Sequence, residues 1–371
     1  FALILKYPFF EFGPRYAAAT GESLVEGYRR VGRWAVWLYL LIMLSTVVFT
    51  NAAILLFTEA LFQYALGTSF SPTLASAVIY AACLLLLWIG HYKALDLAIK
   101  IVVLMLALST LVAASLILPQ ADFSDLNLLP LAPSGGTVTL AFMIALAGWM
   151  PVGIEAATLS SLWTLAKDKS TNMRTSVSTA RLDFNIAYVG TGVLAFAFLI
   201  LGAVVMYGSG EEFSPSPAGF STQLIALYES TLGGWAGPIV VTAAVTAMFS
   251  TALTVMDGYP RAIDRAIKVI KTDDPDQTAN ADISEPYWIA LIGIGVLMTL
   301  FLHLFVSSLT QMIDFITIIS FMTGPILGYL NLKAVTSPNV PKEHQPGKAM
   351  IAFSYFGLVS MAVVAVIFLI S

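Results

Sequence analysis

The decisive stretch of the sequence runs Ala145-Leu146-Ala147-Gly148-Trp149-Met150-Pro151-Val152-Gly153-Ile154-Glu155. Gly148, Pro151 and Gly153, all poor helix formers, fall close together in this otherwise apolar segment. Because Pro151 has no backbone N–H, the carbonyl of Ala147 loses its helical hydrogen-bond partner. We therefore predict that a helix is interrupted here.

The predicted break places a free carbonyl oxygen near a sulfur atom. The Ala147 carbonyl and the Met150 thioether lie about one helical turn apart, and soft sulfur ligands favour transition metals over Mg²⁺ or Ca²⁺. Together they would form half of a transition-metal site. A Pro-kinked helix with Met150 as core filler accounts for the same residues.

The stretch is embedded in a strongly apolar chain. Of 371 residues, 58% are hydrophobic and 11% are charged, which excludes a soluble globular protein and indicates a polytopic membrane protein. A spanning helix needs about 20 apolar residues. On that basis we predict a single all-α transmembrane domain over residues 1–371, in which residues 1–12 form the end of one helix and full spans lie near 34–57, 73–89, 97–118, 138–165, 183–207, 235–257, 287–305, 309–332 and 349–370.

The basic residues predict an orientation. The 18 Lys and Arg residues all fall on alternate connections, with Lys6 at the end of the truncated helix. The positive-inside rule makes these connections cytoplasmic and places Ser371 outside. We expect the membrane to be a bacterial or archaeal inner membrane. Basic residues spread in this way argue against nucleic-acid binding. Because the chain begins at Phe1 inside an apolar run, we expect its true N-terminus to be missing.

Four polar residues within or near the spans are candidate functional groups. Glu155, just after the break, is either part of a proton or ion pathway or a carboxylate that complements a helix N-terminus. Asp314 faces an outer vestibule or the lipid headgroups, and Thr317 lies one turn further on the same helix face. Asn51 is either a ligand or interhelical hydrogen-bonding glue. No catalytic set of an intramembrane hydrolase is found, so we expect no enzyme activity and no cofactor.

The break resembles the Ala-x-x-Met-Pro of the sixth helix in the Nramp family of divalent metal transporters. Two further segments resemble that family in the same order: Arg15-Tyr16 through Thr20-Gly21-Glu22-Ser23-Leu24, and Gly90-His91-Tyr92-Lys93-Ala94-Leu95-Asp96. The resemblance implies a LeuT-type (APC) inverted-repeat helical bundle with helices 2 to 11 present. It also implies that the Ala147 carbonyl and the Met150 sulfur are metal ligands.

The sequence departs from that family at several positions. The His that usually follows Met-Pro is Val152, the acids of the third helix align with Asn51 and Ile54, and the tenth-helix Gln aligns with Thr317. The family's Asp-Pro-Gly motif would precede Phe1. These departures make proton coupling by the usual route unexpected, with Glu155 as a substitute acid.

The resemblance leads to a functional hypothesis. We expect an importer of Mn²⁺ or Fe²⁺ that works by alternating access, with or without proton coupling. Its partners are the metal ion and the lipid bilayer. One alternative is a carrier of Mg²⁺ or another cation with the same fold. An alternative of a different class is a transport-inactive membrane sensor or scaffold.

Overall fold

The structure is a computed structural model that describes residues 1–89, 93–120, 140–206, 214–272, 283–305 and 309–370. Within these residues the regular structure is entirely helical. In chain order the α-helices are α1 (Ala2–Thr20), α2 (Leu24–Val31), α3 (Arg33–Leu66), α4 (Pro72–Ile89), α5 (Lys93–Ile117), α6 (Leu140–Gly148), α7 (Ala156–Thr171), α8 (Val177–Leu201), α9 (Pro217–Leu232), α10 (Gly237–Lys271), α11 (Glu285–Phe305), α12 (Leu309–Val335) and α13 (Lys348–Ile370).

Among the described residues, seven helices are long and apolar enough to cross a membrane: α3, α4, α8 and α10 to α13. The segment 138–165 contains two short helices, α6 and α7, with the break between them. Four predictions fall on residues outside the described ranges: the segment 90–92 of the family resemblance, the first two residues of the span 138–165, the last residue of the span 183–207, and the location of Ser371.

Two helices extend well beyond the uncharged runs from which their limits were predicted. α10 continues past residue 257 to Lys271, and α1 continues past residue 12 to Thr20. The charged extension of α10 is stabilised within the helix, because Arg261 donates to Asp257 at 2.6 Å and Lys268 donates to Asp264 at 2.7 Å. Charge therefore ended the apolar run but not the helix.

Local signals determine where the short helix α2 begins and where α1 ends. Gly21 follows α1 in the left-handed conformation, with φ of 77°, and its N–H donates to the Ala17 carbonyl. Ser23 then caps α2, and the Glu26 side chain accepts from the Ser23 backbone N–H at 3.0 Å, completing a capping box.

The helices that surround the break pack closely against it. α1 runs along α7 and α8, and α12 packs against α6, α3 and α1. At Gly13 a Cβ atom would overlap the Ala157 carbonyl and lie 2.7 Å from Ser160 Oγ, so only glycine allows α1 to come this close to α7. The same α1 places Phe9 and Phe12 in the main apolar core.

One end of the bundle holds a network of ion pairs, called the basic end below and defined by Glu11, Arg15, Glu26, Arg181 and Arg265. Arg15 and Arg181 both donate to Glu11, which joins α1 to α8, and Arg265 donates to Glu26, which joins α10 to α2. Arg15 also donates to the His344 carbonyl between α12 and α13 at 2.8 Å. Connections that are distant in sequence therefore meet at one end.

Candidate functional site

The candidate site is the non-helical segment between α6 and α7. α6 ends at Gly148 and α7 begins at Ala156, so residues 149–155 lie outside both helices. The Met150–Pro151 peptide bond is cis. The segment interrupts the hydrogen-bond ladder of the helix and leaves carbonyl groups to be satisfied by other partners.

Two glycines allow this segment to lie where it does. A Cβ atom on Gly148 would overlap the carbonyl oxygen of Thr317, so glycine is required where the end of α6 meets α12. A Cβ atom on Gly153 would overlap the Glu155 carboxylate, which folds back over the segment. The close approach to α12 thus depends on Gly148, and the position of the acid depends on Gly153.

The carbonyl groups of the break are bound by a lysine from α1. Lys6 Nζ donates to the Gly148 carbonyl at 2.7 Å and to the Val152 carbonyl at 3.3 Å, and the residue is only 1% exposed. The prediction that Lys6 lies at the end of a truncated helix is wrong. Because α1 extends to Thr20, Lys6 lies near the start of the helix rather than at its end.

Glu155 is a buried acid with incomplete hydrogen bonding. The residue is 3% exposed, its Oε1 lies 3.5 Å from Ser320 Oγ, at the outer limit of a hydrogen bond, and its Oε2 has no hydrogen-bond partner. The carboxylate lies against Gly153, next to the Val152 carbonyl that accepts from Lys6. A buried carboxylate of this kind is costly unless a cation or a proton compensates it.

The two proposed metal ligands lie at the start of the break. Ala147 is the penultimate residue of α6 and Met150 lies two residues beyond the end of that helix, and both are partly buried. Pro151 follows Met150 directly. The carbonyls that accept a hydrogen bond from Lys6 are those of Gly148 and Val152, two residues before and two residues after Met150.

The other predicted polar residues differ in how close they come to the break. Thr317 contacts it through its carbonyl oxygen beside Gly148, while its hydroxyl donates to Ile313 at 2.7 Å within α12. Asp314 is exposed. Asn51 is fully buried in α3, where its Nδ2 donates to the Val47 carbonyl at 2.8 Å and its Oδ1 has no partner.

Sequence reasoning missed three residues that contact the break or belong to it. Lys6 donates to its carbonyls, Ser320 on α12 approaches Glu155, and Trp149 Nε1 donates to Ser320 Oγ at 3.1 Å. Two signals were available: Lys6 lies inside an apolar run, and Ser320 follows Thr317 by three residues on the same helix face.

A second polar cluster contacts the first turn of α7 at Thr158. The Tyr28 hydroxyl donates to Asn331 Oδ1 at 2.5 Å and lies 3.1 Å from Thr158 Oγ1, and Asn331 Nδ2 donates to the Phe9 carbonyl at 3.0 Å. These bonds join α2, α7, α12 and α1. The described residues contain no group of three or more His, Cys, Asp or Glu that could hold a metal ion.

A bundle of apolar helices around an interrupted helix defines an integral membrane protein. The family model "Natural resistance-associated macrophage protein-like" (Nramp) matches residues 9–371. The chain therefore belongs to the Nramp family, and the resemblance predicted from the sequence is confirmed.

Relatives and solved structures agree with this assignment. An uncharacterized protein of Pasteurella multocida (strain Pm70) is 31% identical over 377 residues, which cover 99% of this chain and 83% of that protein. Two crystal structures of mutants of the Eremococcus coleocola manganese transporter match with TM-scores of 0.66 and 0.67, each at 13% identity and covering 99% of this chain and 78% of the other. The predicted LeuT-type fold is thereby confirmed.

Proposed function

We propose that the protein carries divalent transition-metal cations across the membrane by alternating access, with Mn²⁺ or Fe²⁺ as cargo. The Ala147 carbonyl and the Met150 sulfur are the proposed ligands, and Thr317 and Asn51 are proposed further oxygen donors. Membership of the Nramp family supports transport of a divalent metal, and the matched solved structures are of a manganese transporter.

The observation that carries the proposal is the break itself. Residues 149–155 leave the helix against α12, at a position where Gly148 contacts Thr317, and they combine freed carbonyl groups with one thioether. Backbone oxygens at an interrupted membrane helix bind cations in transporters of this architecture, and the sulfur of Met150 favours a softer ion. The unpartnered Oδ1 of buried Asn51 supports its role as an oxygen donor.

We also propose that Glu155 and Asp314 belong to the ion or proton pathway. Glu155 is buried beside the break, and Asp314 lies on the exposed surface of α12, one turn before Thr317. A proton taken up by Glu155 would remove a buried charge that has one oxygen without a partner. This route differs from the one that uses acids in the third helix, where this chain has Asn51 and Ile54.

Metal uptake into liposomes tests the proposed site. Met150→Ala should lower Mn²⁺ and Cd²⁺ uptake at least tenfold, because the thioether is lost, and should change Mg²⁺ or Ca²⁺ uptake less. Met350→Ala is the matched control, since Met350 packs partly buried against the core in α13. Equal uptake of Mn²⁺ by the Met150 variant and its parent would refute the assignment of the ligand.

A Mg²⁺ carrier of the same fold is the second candidate. It is favoured by the excess of oxygen over sulfur among the polar groups at the break. It predicts Mg²⁺ uptake that Cd²⁺ inhibits poorly, whereas a transition-metal carrier predicts strong inhibition by Cd²⁺. Metal binding without any uptake would instead indicate a sensor or scaffold.

The proposed orientation places the basic end in the cytoplasm and the end of α13 outside. Lys342 is exposed in the connection between α12 and α13, and Cys83, the single cysteine, is buried. A Lys342→Cys variant should therefore react with a membrane-impermeant maleimide only in inverted vesicles. Labelling of this variant in intact cells would show that the connection lies outside, which contradicts the proposed orientation.

A further inference from the structure

The oxygen atoms around the break are arranged about a cation that belongs to the chain itself. The Gly148 and Val152 carbonyls both accept from Lys6 Nζ, at 2.7 and 3.3 Å. Carbonyl pairs exposed by an interrupted helix are the groups that bind cations in membrane transporters. Here the ammonium group of α1 takes this position, in a setting where the lysine is almost fully buried.

The same segment offers the ammonium a second partner. Glu155 is buried, its carboxylate lies against Gly153, the residue that follows Val152, and its Oε2 accepts no hydrogen bond. Glu155 Oε1 has only the long contact to Ser320. Lys6 thus has two alternative acceptors in one segment: the carbonyl pair that it contacts and the carboxylate that still has an unused oxygen.

We propose that Lys6 is a tethered cation that competes with the transported metal for the break and moves toward Glu155 when the metal binds. This inference rests on the proposed function. Gly148 is adjacent to Ala147 and two residues from Met150, and consecutive Cα atoms are about 3.8 Å apart, so a metal on those ligands lies close to the ammonium. Like charges this close in a poorly solvated site repel strongly, so the metal binds only as the ammonium leaves.

The proposal gives Lys6 a role in setting affinity rather than only in joining helices. A cargo ion must supply enough binding energy to displace the ammonium, so weakly bound cations are rejected. Glu155 lowers the cost of the displacement because it receives the ammonium. Lys6 thus sets the affinity of the site, and Glu155 is a positioning residue that acts through it.

Metal binding by the purified protein in detergent tests this competition. Lys6→Met removes the charge at similar length and should increase the affinity for Cd²⁺ at least tenfold in isothermal titration calorimetry. Lys6→Leu removes the charge without adding a sulfur ligand and should give the same increase; an increase seen only with Lys6→Met would mean that the new thioether binds the metal, which contradicts the proposal. Lys6→Arg keeps the charge and is the matched control, with an affinity within about threefold of the parent. An affinity of the Lys6→Met variant equal to or weaker than that of the parent would overturn the proposal.

Glu155→Gln completes a double-mutant cycle. In the parent background it should weaken Cd²⁺ binding about tenfold, because the displaced ammonium loses its acceptor. In the Lys6→Met background the same substitution should change the affinity less than threefold, because no ammonium has to be accommodated. Equal losses in the two backgrounds would show that Glu155 acts independently of Lys6, which contradicts the proposal.

Thermal unfolding provides a readout that does not depend on transport. Since a ligand stabilises the folded state according to its affinity, Cd²⁺ should raise the melting temperature of the Lys6→Met variant more than that of the parent. If that variant lacks a cooperative transition, Lys6→Gln replaces it, because the glutamine amide still donates to carbonyls without a charge. A metal-induced shift no larger than that of the parent would again refute the competition.

The result separates this inference from the proposed function. If the parent binds neither Mn²⁺ nor Cd²⁺ and Met150→Ala changes nothing, the proposed function fails. If the parent binds metal and Met150→Ala weakens it, but Lys6→Met binds no more tightly, only the role of Lys6 fails.

Discussion

Glu11 and Glu155 are both almost completely buried, yet their surroundings differ sharply. Glu11, at the basic end, is 0% exposed and accepts from Arg15 at 2.7 Å and 2.8 Å and from Arg181 at 2.8 Å. Glu155, at the break, has one long contact to Ser320 and one oxygen without a partner. The first carboxylate is satisfied, and the second is not.

The difference separates a structural charge from a charge that is available for function. A buried carboxylate with a bidentate arginine joins helices in one arrangement, and removing one partner leaves the other charge uncompensated. A buried carboxylate with an unused oxygen retains the capacity to bind an ammonium group, a proton or a metal ion. The basic end therefore stabilises the bundle, whereas the break holds a carboxylate with an unused oxygen.

The largest effect is expected at the basic end. Glu11→Ala leaves Arg15 buried without its carboxylate and should lower the free energy of unfolding by about 3–5 kcal/mol. Denaturant titration in detergent measures this loss. Glu343→Ala, at an exposed residue, is the control and should change stability by no more than about 0.5 kcal/mol. If Glu11→Ala destabilised no more than Glu343→Ala, the ion pair of Glu11 would not stabilise the bundle, and the contrast between Glu11 and Glu155 would be lost.

The second-largest loss of stability is expected when a backbone contact at the break is disturbed. Gly148→Ala places a Cβ atom against the Thr317 carbonyl, where only a shift of α6 relative to α12 relieves the overlap. We expect a loss of about 1–3 kcal/mol, together with weaker metal binding because the break moves away from α12. The matched control is Gly190→Ala in α8, whose added Cβ atom meets no heavy atom within 4 Å. Stability equal to that of the parent would mean that α6 adjusts freely.

Neutralising the acid at the break should cost little stability. Glu155→Gln removes a buried charge that makes few hydrogen bonds, so we expect the free energy of unfolding to change by less than about 1.5 kcal/mol in either direction. The same denaturant titration measures it beside Glu11→Gln, which should lose more. A larger loss for the Glu155 variant would reverse the comparison.

The smallest effect is expected for a partly exposed member of the basic end. The Arg181 side chain is 44% exposed, and Glu11 keeps its bidentate bond to Arg15 without it. Arg181→Met should therefore destabilise by only about 0.2–1 kcal/mol, and the loss should shrink as salt is added. A loss as large as that of Glu11→Ala would show that α8 is held mainly by this arginine.

Short-range sequence signals predicted the break but not the groups that contact it. Pro151 removes a donor and stands between Gly148 and Gly153, and this combination of weak helix formers indicates the interruption, whereas Pro260 alone does not end α10. Apolar runs likewise indicate the membrane helices. Helix limits were less predictable, because α10 continues through Pro260 into a charged segment that its own ion pairs support.

The partners of buried polar groups could not be predicted in this way. Lys6 and Gly148 are 142 residues apart, and Ser320 and Glu155 are 165 residues apart. Such pairs depend on which faces of α1, α7 and α12 meet. Thr317, predicted as a possible metal ligand, contacts Gly148 through its backbone, and a backbone contact has no side-chain signature.

The sequence by itself determined that this chain is a membrane-embedded helical bundle with a break around Pro151, because apolar length and missing backbone donors act locally. Its motifs added the resemblance to the Nramp family. Only the tertiary structure decided what fills that break. The length and burial of α1 place the ammonium of Lys6 on the freed carbonyls, and the close approach permitted by Gly148 and Gly153 leaves Glu155 beside it with an unused oxygen. Long-range packing, which no local pattern encodes, joins these groups into one site.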